Sequence, residues 1–113
     1  MRIYHNPRCS KSRETLALIK GAGVNPEIIE YLKDPISIED LRSLLEMLKI
    51  EPTALIRRNE KIWKERYSGE ELTDDETIKV MIENPKLIER PIVVKNRQAI
   101  IGRPPKKVLS LLS

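Results

Sequence analysis

The first thirty residues constrain the fold most. Arg2-Ile3-Tyr4-His5 is a short β-prone run, and the turn pair Asn6-Pro7 stops it. The pattern then predicts a helix from about Ser10 to Lys20, with Leu16, Ala17 and Ile19 on one side. Gly21 and Gly23 end it, as glycine commonly does past a helix C-terminus. Glu27-Ile28-Ile29-Glu30-Tyr31 reads as a second strand. A β-α-β order makes the two strands parallel, joined by a right-handed crossover.

The middle of the chain changes to helical spacing. Ser37 is a candidate N-cap with Asp40 three residues on, and Ile38, Leu41, Leu44, Leu45 and Leu48 follow as one stripe. Pro52 starts a short turn running to Arg58, and Trp63 and Tyr67 lie in a charged helical stretch. Thr73-Asp74-Asp75-Glu76 is a full capping box ahead of Ile78, Met81 and Ile82, and Asn84-Pro85 closes that helix. Toward the end the period returns to that of strands. Ile92-Val93-Val94 and Ala99-Ile100-Ile101 flank Asn96-Arg97, which predicts an antiparallel hairpin. Gly102 breaks the second strand, and Pro104 suits the first turn of a last helix carrying Val108, Leu109, Leu111 and Leu112. The economical solution is α/β: a four-stranded mixed sheet with helices packed on it. This element order is similar to that of a thioredoxin-like fold with an inserted helical block. The expectation is one domain over residues 1–113, with the insertion at about 36–85.

Composition narrows the function classes. With 113 residues there is no room for a second full domain. The formal charge of +4 favours anionic ligands. The basic residues are interleaved with acids and only 4% of residues are aromatic, which argues against nucleic-acid binding. No run is long and apolar enough for a membrane span, and Met1 to Arg13 has no signal-peptide core, so a cytoplasmic protein is expected. One Cys and one His exclude a disulfide framework and a four-ligand zinc site of the usual kind.

The chemistry concentrates in His5-Asn6-Pro7-Arg8-Cys9-Ser10-Lys11-Ser12-Arg13, where the first strand ends and the first helix begins. A helix N-terminus presents free N–H groups and the positive end of a dipole, which stabilise a thiolate. Arg8, Lys11, Arg13 and His5 would add positive charge, lowering the pKa of Cys9 further. Amides there also suit a tetrahedral oxyanion, so Arg8, Ser10, Lys11, Ser12 and Arg13 form a candidate cradle beside the sulfur. A lone cysteine is often just a small buried hydrophobe. The neighbours of Cys9 are poor core lining. Ser12 stands where a Cys-x-x-Cys motif needs its second sulfur, and Thr15 where a Cys-x5-Arg phosphatase loop needs arginine. Monothiol chemistry with an outside thiol remains.

The segment from Tyr4 to Leu16 resembles the active-site segment of glutathione/glutaredoxin-coupled arsenate reductases. The resemblance continues through Leu55-Ile56-Arg57, Asn84-Pro85 and Arg90-Pro91-Ile92-Val93-Val94 to Gly102-Arg103-Pro104. It covers nearly the whole chain and takes in the wider family of arsenate reductases and Spx-type regulators, of which this looks like a short member. It implies a thioredoxin-like fold and Cys9 as nucleophile toward arsenate or a similar oxyanion. It implies that Arg57, Arg90 and Arg103 hold arsenic oxyanions, and that His5 influences the thiolate. Pro91 joins the substrate-binding set, because the proline before the third strand of such folds is typically cis and lies beside the active cysteine. Ser12, one turn from Cys9, is expected to hydrogen-bond the thiolate. All three arginines have a competing role in surface ion pairs, since Glu60, Glu65 and Glu89 are nearby in sequence, and that role competes most strongly for Arg57, which has Arg58 beside it.

The function these readings favour is reduction of arsenate to arsenite. Glutathione would be co-substrate, glutaredoxin the partner, and no cofactor or metal would be bound. Two rivals stand beside it: an Spx-like regulator binding RNA polymerase, whose Cys-x-x-Cys switch Ser12 breaks, and a glutathione-dependent thiol enzyme with another substrate.

Overall fold

The computed structural model describes residues 1–112; Ser113 lies outside the described residues. In chain order the elements are β1 (Arg2–Tyr4), α1 (Ser10–Gly21), β2 (Glu27–Ile29), α2 (Ile38–Leu48), α3 (Pro52–Leu55), α4 (Lys61–Arg66) and α5 (Asp74–Glu83). A 3-10 turn (Pro85–Leu87), β3 (Ile92–Lys95), β4 (Gln98–Ile101), a second 3-10 turn (Pro105–Val108) and α6 (Leu109–Leu112) follow. Met1–Asp34 and the chain from Arg90 onward form one compact unit, and Pro35–Glu89 forms another.

The first unit holds a four-stranded mixed sheet in the order β2-β1-β3-β4. β1 runs parallel to β2 and antiparallel to β3, and β3 runs antiparallel to β4. Ile3 and Val93 are cross-strand partners, and both are fully buried with Ile19 of α1 and with Val108 and Leu111 near the C-terminus. The hairpin between β3 and β4 turns on Asn96 and Arg97, both at positive φ, the geometry that matches strand twist in a two-residue loop.

Three details differ from the pattern in the sequence. β2 stops at Ile29 rather than Tyr31, because β1 offers three partners and Glu30 instead accepts turn hydrogen bonds from Lys33 and Asp34. The buried face of α1 is Ser12, Thr15 and Ile19, with Leu16 half-buried and Ala17 exposed. Two polar residues thus occupy positions where periodicity looks for apolar ones. Pro104 precedes the last helical segment in extended conformation (φ −70°, ψ 159°), Pro105 opens that segment, and Leu109 is exposed.

The second unit is helical. Ser37 Oγ accepts the Asp40 N–H at the start of α2, and Leu41, Leu44 and Leu45 are buried. Thr73 and Glu76 form the reciprocal capping box of α5, whose Ile78 and Met81 are also buried. The turn expected from Pro52 to Arg58 is helical only over Pro52–Leu55, after which Ile56 is extended and bridges to Ile88.

Candidate active site

Strand register assembles the site. Tyr4 at the end of β1 pairs with Ile92 at the start of β3, and Ile92 pairs with Ile101 at the end of β4. The chain leaving β1, the chain entering β3 and the chain leaving β4 therefore meet at one end of the sheet. These segments carry Cys9, Arg90-Pro91 and Gly102-Arg103.

The loop before α1 is shaped by its own hydrogen bonds. Asn6 Oδ1 accepts the Arg8 N–H at 3.0 Å, and the Asn6 carbonyl accepts the Cys9 N–H at 3.0 Å. Cys9 is the N-cap of α1 (φ −93°, ψ 121°), and its carbonyl accepts the first helical bond, from Arg13 N–H. The sulfur is half-buried. Burial alone pushes this thiol up. The Ser12 N–H, the Arg90 guanidinium and the Lys11 N–H, with the positive charge of Arg90, outweigh it and hold Cys9 below the ordinary thiol value. Arg103 Nη1 lies 3.9 Å from the sulfur and donates to the Arg90 carbonyl at 3.2 Å. The Arg90–Pro91 bond is cis, as the sequence comparison with thioredoxin-like folds anticipated; Arg103–Pro104 is cis as well.

The side chains of His5 and Ser12 bond to one another. His5 Nδ1 and Ser12 Oγ are 2.6 Å apart, and the same hydroxyl accepts the Asn6 N–H at 3.1 Å. Ser12 meets the thiol as expected, and it does so through its main-chain N–H. The expected positive charge on His5 is corrected: burial, the largest influence, lowers its pKa, so the ring is mostly neutral at pH 7.

The remaining basic residues divide by location. Arg8, Ser10, Lys11 and Arg13 are exposed along the loop and first turn. Lys11 pairs with Glu14 at 3.9 Å, and Arg13 donates to the Pro7 carbonyl at 3.0 Å. Arg57 belongs to the second unit, where Glu60 lies 3.2 Å from its Nε and Glu89 3.6 Å from its Nη1. Those are two of the ion pairs its sequence neighbours suggested; Glu65 pairs with Lys61 instead. Among the described residues no group of three or more His, Cys, Asp or Glu could hold a metal ion, and no helix is long and apolar enough to cross a membrane.

Sequence reading missed Thr15 and Asn6 as parts of this site. Thr15 is fully buried and donates to the Lys11 carbonyl at 2.8 Å. The usable signal for Asn6 was its place before proline, where Asn side chains commonly close a local turn. Thr15 carried none.

Residues 4–111 match the model of the ArsC family. YfgD, an uncharacterized protein of Escherichia coli, is 48% identical, with 99% of this chain and 96% of that protein covered. The arsenate reductase of Haemophilus influenzae is 42% identical, with 97% of each chain covered. The solved structure of an arsenate reductase from Vibrio cholerae superposes with a TM-score of 0.92 at 50% identity, covering 96% of this chain and 94% of that one.

Proposed function

Because the chain belongs to the ArsC family, we propose that it reduces arsenate to arsenite through Cys9, with glutathione as the external thiol. The observation that carries this reading is a single sulfur at a helix N-terminus, held toward its thiolate, with the guanidiniums of Arg90 and Arg103 beside it. The Cys9 thiolate attacks As(V) and displaces one oxygen, which leaves as water after protonation. Arg90 and Arg103 offer fixed forks of N–H donors to the remaining oxygens and to the departing one. Arg8, Ser10, Lys11, Ser12 and Arg13 at the start of α1 complete the cradle, and Pro91 lines it. His5 holds the Ser12 hydroxyl and thereby the first turn of α1. Arg57 is assigned to oxyanion binding by family resemblance alone.

Electron counting sets the rest. Two thiols supply the two electrons: arsenic acid and two thiols give arsenous acid, one disulfide and water. Cys9 is the only sulfur nucleophile in the sequence. Glutathione supplies the second thiol, and glutaredoxin with glutathione restores Cys9. The test is NADPH oxidation coupled through glutathione reductase and glutaredoxin. Arsenate-dependent turnover is expected for the wild type and its loss for Cys9→Ser, because a hydroxyl without a dedicated base is a far weaker nucleophile. Arg90→Ala or Arg103→Ala weakens arsenate capture while the fold persists. A wild-type protein inert to arsenate in this assay overturns the reading.

A further inference from the structure

Gly102 is buried and sits where a side chain has no room. A Cβ there would lie 2.6 Å from Thr15 Oγ1, 2.9 Å from Pro91 Cγ and 3.1 Å from Thr15 Cγ2. Its backbone does not require glycine: Gly23 and Gly69 take positive φ, and Gly102 does not. The requirement is space alone. Neither neighbour yields cheaply, since Thr15 is fully buried and β-branched and Pro91 is a ring. The close approach is also hydrogen-bonded. Gly102 N–H donates to the Pro91 carbonyl at 2.9 Å, and the Thr15 hydroxyl reaches the Gly102 carbonyl at 3.4 Å.

This contact joins the parts of the site that the sheet register alone leaves loosely defined. Thr15 is on α1, the helix that Cys9 caps, and Gly102 is bonded directly to Arg103. We infer that Gly102 is a positioning residue, which seats the chain against Thr15 and Pro91 so that the Arg103 guanidinium reaches the Cys9 sulfur. The inference rests on the reading of Cys9 and Arg103 as one anion-capturing site. Filling the space would push the 102–103 backbone away from α1 and carry the guanidinium off the sulfur.

The test compares alkylation of Cys9 by iodoacetate, an anion, with alkylation by neutral iodoacetamide. The ratio of the two rates reports cation capture beside the sulfur and does not depend on arsenate being a substrate. Arg103→Ala should lower the ratio by about threefold or more, as loss of one nearby charge does at a partly screened site. Gly102→Ala should lower it similarly, with circular dichroism unchanged, and should add nothing in the Arg103→Ala background. Thr15→Ala/Gly102→Ala opens the Thr15 side and should regain at least half of the lost ratio; it also serves if Gly102→Ala alone does not fold. A wild-type ratio in Gly102→Ala, an undiminished effect in the Arg103→Ala background, or a double variant still at the Arg103→Ala value would each overturn the inference. Arsenate turnover, measured in parallel, separates that outcome from failure of the arsenate reading. An inert wild type with the expected ratios would leave Gly102 in its role and remove only the substrate.

Discussion

Cys9 titrates where opposing influences meet, and their balance decides its chemistry. Burial resists charge on the sulfur, while two main-chain N–H groups and the Arg90 guanidinium favour it. Alkylation by iodoacetamide is therefore expected to rise with a midpoint below the ordinary thiol value of about 8.5, and Arg90→Ala should move that midpoint upward. His5 is held low as well, chiefly by burial. For a base whose folded pKa lies below its unfolded one, the unfolded state binds more protons in between, so stability rises with pH across that window. The contribution of His5 is thus complete above about pH 6.5, its unfolded value, and is lost as pH falls toward the folded value. Thermal melts at pH 7.5 and pH 5 should show this loss in the wild type and a smaller one in His5→Gln. An equal loss in both would remove His5 as the cause.

At the scale of elements, the same local rules act with different force. Both bonds of the α5 capping box are present, Thr73 Oγ1 accepting from Glu76 N–H and Glu76 Oε1 from Thr73 N–H. Thr73→Ala is expected to lower stability by about 1 kcal/mol, read from urea unfolding. The β3–β4 turn carries the opposite opportunity. Arg97 sits at φ +64°, where a side chain costs about 1–2 kcal/mol and glycine costs little. Its added entropy in the unfolded chain offsets part of that gain, so Arg97→Gly should raise stability by about 0.5 kcal/mol. α1 shows the limit of periodicity: its first two turns bury Ser12 and Thr15, both of which bond within the site region rather than fill an apolar core.

For the whole molecule, one sulfur sets what the proposed reaction can complete unaided. A protein with a second internal thiol resolves its own adduct; this chain has Cys9 alone. Mixed with arsenate and no other thiol, it is expected to stall as a covalent Cys9–arsenic adduct, visible by intact mass spectrometry. Glutathione should then release it. Steady turnover without an external thiol would contradict the mechanism.

The residues by themselves determined the order of strands and helices, both well-formed caps, the hairpin turn and the placement of Cys9 at the start of α1. Each depends on neighbours within a few positions, where propensity, capping and turn geometry act directly. Only the tertiary structure decided what surrounds the sulfur. Arg103 lies 94 residues from Cys9 along the chain, and it is the register of β1, β3 and β4 that brings the two together. The partner of the Ser12 hydroxyl was likewise open until folding put His5 beside it, which left the main-chain N–H to face the thiol. The need for glycine at 102 had the same origin. Its φ is one that other residues adopt, and what excludes them is the bulk of Thr15 and Pro91, neither of which is a sequence neighbour. Contacts of that kind are set by which surfaces close on one another, and a local pattern carries no trace of them.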